Sequence, residues 1–169
     1  MIHHINFRVI AHATEDLSKV DSALDFFLGV ACAPRGGHAS GTLAECAADA
    51  SLKAELNNLK ETIETEGHFG NPIHIKTAVL KKKAACSKFV QFFKDNISEE
   101  DLETLREQMP ERLDDDLNFY MRFSKQAAAN GKLKFTESSD AISVRVKIET
   151  YPKSWEKAGP IVEELFGQK

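Results

Sequence analysis

Five stretches of this chain alternate apolar and polar residues, the spacing of a strand with one face buried and the other open. Their polar phase comprises His4, Asn6 and Arg8; His74 and Lys76; Asn118, Tyr120 and Arg122; Lys132 and Lys134; and Ser143, Arg145 and Lys147. The charged members of that phase are all basic, although the chain holds 22 basic and 26 acidic side chains and a formal net charge of −4. If the strands share one sheet, its open face is positive, with Tyr120 available to stack on a base. Glutamate keeps an exposed strand soluble as well as lysine does, so solubility alone does not account for a phase without carboxylates.

Charge along the chain is blocked. It runs from −5 over residues 1–71 to +5 over 72–96, −7 over 97–116 and +4 over 117–153. Screening acts over about 8 Å at physiological salt, so a phosphate backbone responds to the local block and not to the total. The length of 169 residues, 42% hydrophobic and 28% charged, suits a single domain over 1–169. No apolar run reaches membrane length and no export signal opens the chain, which leads us to expect a cytoplasmic protein. Cys32, Cys46 and Cys86 are odd in number and widely spaced, which fits reduced thiols and neither a disulfide framework nor paired zinc ligands.

The first strand carries Ile5, Phe7, Val9 and Ala11 on its apolar phase. A helix follows, with Thr14 as N-cap, an apolar stripe of Leu17, Val20, Leu24, Phe27 and Leu28, and an end at Gly29. Residues 30–41 read as a loop and 42–58 as an alanine-rich helix. Residues 60–66 suit a short strand that would make a hairpin into the strand of 73–80; in that case Glu64 and Glu66 put acid at one side of the sheet. Lys81, Lys82 and Lys83 lead into a helix striped by Ala85, Phe89, Phe92 and Phe93, and a capping box at Ser98–Asp101 opens a short helix that Pro110 ends. Strands at 117–123, 132–135 and 142–148 come next, with a helical turn at 125–130, and Trp155 to Phe166 falls at helical spacing with Pro160 expected to bend that helix or delay its start. The chain is thus predicted to be α+β, a mostly antiparallel sheet with helices packed on one face.

Two local motifs admit chemistry. The turn Gly67-His68-Phe69-Gly70-Asn71-Pro72 either serves geometry alone or exposes backbone N–H groups that form an anion site with His68 and Lys76. Asp114, Asp115 and Asp116 suggest magnesium, but three consecutive acids before a strand cannot all face one point, and turn formation is the simpler role. The six histidines show no metal spacing, and no nucleophile elbow, phosphate loop or dinucleotide fingerprint is present, so neither cofactor nor catalysis is expected.

The Gly67–Pro72 turn, the segment Ala11-His12-Ala13-Thr14-Glu15-Asp16, and Asp114-Asp115-Asp116-Leu117-Asn118 running to Arg122, Lys125, Gln126 and Ala127 resemble an archaeal family of predicted RNA-binding proteins described as an exosome subunit. The resemblance spans about residues 3–29 and 60–166, and implies that the intervening stretch, longer and more alanine-rich than in the family, is a variable helical insertion at about 30–58. It implies the fold of the ribosomal protein that holds 5S rRNA, RNA binding, and no defined catalytic residues.

Together these readings predict a non-catalytic RNA-binding protein, associated through the resemblance with archaeal RNA processing or the exosome. Its expected contacts are Arg8, His68, Gly70, Asn71, Lys76, Lys81, Lys82, Lys83, Tyr120, Arg122, Lys125, Arg145 and Lys147. A single aromatic on the face favours structured or double-stranded RNA over a sequence-read single strand. The alternatives are an assembly subunit that docks through the same charged face, including a homodimer in which the acidic segment 98–116 meets that face, and a magnesium-dependent nuclease.

Overall fold

A computed structural model describes residues 1–32 and 50–167, and side chains throughout these except at Val30, Cys32 and 50–53. The elements run β1 (Ile2–Ala11), α1 (Leu17–Cys32), α2 (Ala50–Leu59), β2 (Lys60–Glu66), β3 (Pro72–Leu80), α3 (Lys83–Asn96), α4 (Glu99–Gln108), β4 (Asn118–Ser124), α5 (Lys125–Ala129), β5 (Ala141–Ile148) and α6 (Trp155–Phe166). The strands form one antiparallel sheet in the order β2-β3-β1-β5-β4, with the first strand at its centre. The chain is therefore α+β, as its pattern predicts. Among the described residues no helix is long and apolar enough to cross a membrane.

Ten of the eleven phenylalanines explain why helices cover one face of that sheet. Phe7, Phe119 and Phe123 rise from the strands, Phe26 and Phe27 descend from α1, Phe89, Phe92 and Phe93 from α3, and Phe166 from α6, with Phe135 beside β4. Their rings meet in a network: Phe7 packs on Phe27 at 5.9 Å and on Phe89 at 5.3 Å, Phe27 on Phe123 at 5.4 Å, and Phe166 on both Phe93 at 5.3 Å and Phe119 at 5.5 Å. Each buried ring contributes about 1.5–3 kcal/mol by leaving water, and favourable ring pairs about 0.5–1.5 kcal/mol more. The eleventh, Phe69, stands 86% exposed at the tip of the β2–β3 hairpin.

Several boundaries differ from expectation. The cap of α1 is Asp16 and not Thr14: Ser18 N–H donates to Asp16 Oδ1 at 2.9 Å, and the helix runs through Gly29 to Cys32. Residues 30–32 are thus helical where a loop is expected, while 33–41, the part of the expected helix over 42–49, and Cys46 lie outside the described residues. Ser98 caps α4 as expected, accepting from Asp101 N–H at 3.2 Å. Helix α6 already begins at Trp155, so Pro160 does not delay it. Residues 132–135 make no strand; a single bridge from Phe123 to Phe135 represents the expected pairing, with Ser124 N–H donating to Lys134 O at 2.9 Å.

The largest correction concerns strand phase. In β3 the sequence reading points His74 and Lys76 outward. Register instead sets Leu80 opposite Ile5, Ala78 opposite Phe7 and Lys76 opposite Val9, so Lys76 shares the helix-covered face. Ile73, Ile75, Thr77 and Val79 therefore take the open side.

Since Phe7 joins the sheet to both α1 and α3, Phe7→Ala is expected to cost about 3–5 kcal/mol of unfolding free energy in urea titration, above the loss at an exposed position.

Candidate nucleic-acid interface

Pairing of β1, β5 and β4 converts three separate sequence patterns into three rows across the open face. His4, Lys147 and Asn118 form one row, Asn6, Arg145 and Tyr120 the next, and Arg8, Ser143 and Arg122 the third. Strands about 4.8 Å apart and rows about 6.7 Å apart make this a patch of roughly 10 by 13 Å. Arg8, Arg145 and Arg122 are exposed, and Tyr120 is 40% exposed.

Electrostatics at the first row show the convergence of charge. Partial burial lowers the His4 pKa from its ordinary value, and the positive charges of His3, Arg145, Lys147 and Lys81 press it down further. Lys81 directly follows β3, whose last residue Leu80 pairs with Ile5, so it joins the end of the row occupied by His4. Lys82 is the N-cap of α3 with no side-chain cap bond, and Lys83 opens the helix; all three lysines are exposed and no acid lies in the first turn.

Acidic side chains border the patch at its β4 corner. Asp114 accepts from Asn118 N–H at 2.7 Å and from the Tyr120 hydroxyl at 2.9 Å. Burial would raise the Asp114 carboxyl, but the hydrogen bonds from Asn118 and Tyr120 outweigh it and hold the group below its ordinary value. The Tyr120 hydroxyl is raised in turn, by burial and then by Asp114, with Arg145 opposing. Lys153 pairs with Asp116 at 2.8 Å, and the Lys147 ammonium donates to Asp116 O. Two of the three consecutive aspartates thus build the turn into β4, where Leu117 takes φ 61° while 98% buried, and do not converge as metal ligands. Tyr120 presents its ring with its hydroxyl anchored.

Five expected contacts lie elsewhere: Lys76, Lys125, His68, Gly70 and Asn71. Lys76, only 7% exposed, reaches Asp21 on α1 at 2.7 Å. Lys125, also 7% exposed, donates to Ile10 O and Glu15 Oε1 at 2.8 Å each and pairs with Asp140. Their long stems cross apolar surface while the ammonium finds a carboxylate at the margin, which sequence spacing does not reveal. Among the described residues, the one histidine–carboxylate group close enough to hold a metal is His12, Glu15 and Asp140, and the Lys125 ammonium already supplies its cation. In the Gly67–Pro72 turn, Gly67 N–H donates to Asn71 O at 2.8 Å and Gly70 N–H to Gly67 O at 2.9 Å, so the turn itself consumes the amides expected to bind an anion. Gly70 has φ 74°, a value that glycine adopts without the strain a Cβ would bring.

His68 and Asn71 are exposed, yet they sit at the far end of β3 from Lys81, about 30 Å along the strand direction. They do not join the three rows. The open face is also not uniformly basic: its β3–β2 half presents Ile75, Val79 and Ile63, with Glu61 opposite Thr77. The acid on the open side is therefore Glu61, whereas Glu64 lies opposite His74 on the other side. Sequence reasoning passed over Phe69, which nothing but its place between two turn glycines marks as exposed.

Comparison with known proteins adds an independent line. Residues 4–148 match a family model described as RNA binding. The chain is 34% identical over 162 residues to the RNA-binding protein PAB1135 of Pyrococcus abyssi, spanning 96% of this chain and 92% of that protein. It is 30% identical over 171 residues to MJ0213 of Methanocaldococcus jannaschii, spanning 99% of each. Its fold is similar to that of the solved structures of AF2318 from Archaeglobus fulgidus, with TM-score 0.73, 23% identity and coverage of 98% and 99%, and of Mth689, a DUF54 protein from Methanothermobacter thermautotrophicus, with TM-score 0.69, 24% identity and coverage of 98% of each.

Replacing Lys125 with Met leaves Glu15 and Asp140 without their shared cation, and is expected to lower stability by about 1–3 kcal/mol in chemical denaturation, the lower part of the range because both acids are partly exposed.

Proposed function

Since the chain belongs to the RNA-binding family, we propose that it is a non-catalytic RNA-binding protein that grips phosphate backbone with the open face of β1, β5 and β4. The observation that carries this reading is the alignment of Arg8, Arg122, Arg145, Lys147 and His4 in adjoining rows, with Lys81 at the margin and Lys82 and Lys83 extending the track. Arginine forks and lysine ammoniums in a patch of this size suit two or three neighbouring phosphates. Tyr120 adds a ring held in place by Asp114, which suits stacking on an end or unpaired base.

One aromatic within the rows and several cations favour recognition of backbone and shape, hence structured or duplex RNA over a sequence-read single strand. The engagement of Asp114 by Asn118 and Tyr120, and of Asp116 by Lys153, supports a binding role over a magnesium-dependent nuclease. Work beside an RNA-processing assembly such as the exosome, and kinship of fold with the 5S-rRNA-binding ribosomal protein, rest on the motif resemblance alone.

Arg145 sits at the centre of the rows, so Arg145→Glu is expected to reduce affinity for a generic RNA duplex at least tenfold, and the slope of log affinity against log salt by about 1, in fluorescence anisotropy from 50 to 300 mM salt. Salt-independent binding by the unaltered protein would remove the electrostatic basis of the reading.

His4 supplies a pH signature. Partial burial and then its cationic neighbours depress its pKa in the free protein, and a bound phosphate opposes those charges, so RNA favours the protonated form. Affinity should therefore rise as pH falls from 7.5 to 5.5, and His4→Gln should flatten the part of that rise due to this ring.

A further inference from the structure

The two margins of the sheet are finished differently. At β4 neighbouring chain covers the edge: Tyr120 N–H donates to Arg112 O at 2.9 Å, and Thr136 N–H to Arg122 O at 3.1 Å. At β2, nothing among the described residues pairs with the side away from β3. Beyond Lys60 every side chain of that strand is exposed, including Ile63 at 57%. Glutamates on an open edge ordinarily discourage pairing. Here their spacing favours one particular pairing.

We propose that β2 pairs antiparallel with β2 of a second copy of this chain about a two-fold axis through Ile63. Such an axis stands perpendicular to the continuous sheet, and facing residues must point to the same side, so only registers centred on a residue are allowed. Centred on Ile63, Glu61 faces Thr65, Thr62 faces Glu64 and Lys60 faces Glu66, and all seven residues pair with no like charges directly opposite. Centring on Glu64 sets two glutamates against each other on the axis. Centring on Thr62 leaves Thr65 and Glu66 unpaired.

A second feature agrees with the same axis. On the open face Ile10 lies opposite Ile75, and Ile75 opposite Ile63. The two-fold through Ile63 extends this into one unbroken row of isoleucines from Ile10 of one copy to Ile10 of the other, burying the apolar side chain that a lone β2 leaves in water. The resulting ten-stranded sheet carries the described helices on one side and both basic patches on the other. The two β1 strands stand about 24 Å apart, five strand spacings.

The test is sedimentation velocity of the full chain between about 1 and 200 µM, a range suited to a small interface. A reversible monomer–dimer equilibrium is expected. Thr65→Glu brings like charges together at both contacts with Glu61 and should weaken the dimer at least tenfold, with circular dichroism unchanged. The double variant E61T/T65E exchanges the two roles, removes the clash and should regain the dimer. A chain that stays monomeric throughout, a dimer indifferent to T65E, or a double variant that fails to regain it overturns the proposal. None of these outcomes bears on RNA affinity of the monomer.

Discussion

Everything in this molecule depends on the sealing of one side of the sheet by phenylalanine. Rings from β1 and β4 interlock with rings from α1, α3 and α6, so those strands can turn only their other side to water. Because side chains alternate along a strand, sealing one phase presents the other. The basic rows are thus a consequence of core packing: rotating β5 by one residue would bury Arg145 among the rings and expose Val144 and Val146.

Charge is used in two ways. On the open side cations gather, and the His4 pKa, lowered first by partial burial, is pressed down further by their charge. On the helix side, Lys76 and Lys125 are nearly buried, each answered by acids on or next to α1: Asp21 for Lys76, and Glu15, with Asp140, for Lys125. A buried ammonium without such a partner costs several kcal/mol, so these pairs are matched by necessity, and they help tie α1 to β3 and α5. Chemically identical side chains thus serve anion attraction in one layer and internal fastening in the other.

The element list was largely legible. Strong periodicity and caps such as Ser98 marked α4, β1, β4 and β5 because a single local rule was sufficient in each case. Strand β3 was not legible in phase. Its alternate positions are apolar on both sides, with Ile73, Ile75 and Val79 on one and Ala78 and Leu80 on the other, and the lysine at 76 suggested the wrong answer. Small Ala78 opposite Phe7 resolved it, a contact between residues far apart in sequence. The turn amides of Gly67 and Gly70 were likewise unreadable, since their partners are set by how the hairpin closes.

What the linear chain dictates is the set of residues that cannot be buried together. Arg8, Arg122, Arg145 and Lys147 alternate with large apolar side chains, and water must lie on their side of any sheet these segments form. Folding in three dimensions supplied adjacency: β5 between β1 and β4 places those cations in shared rows, and the opposite phase of β3 excludes Lys76 from them. The division has a plain cause. Alternation is a property of consecutive residues, whereas strand order and register follow from side chains that meet only once the sheet has closed.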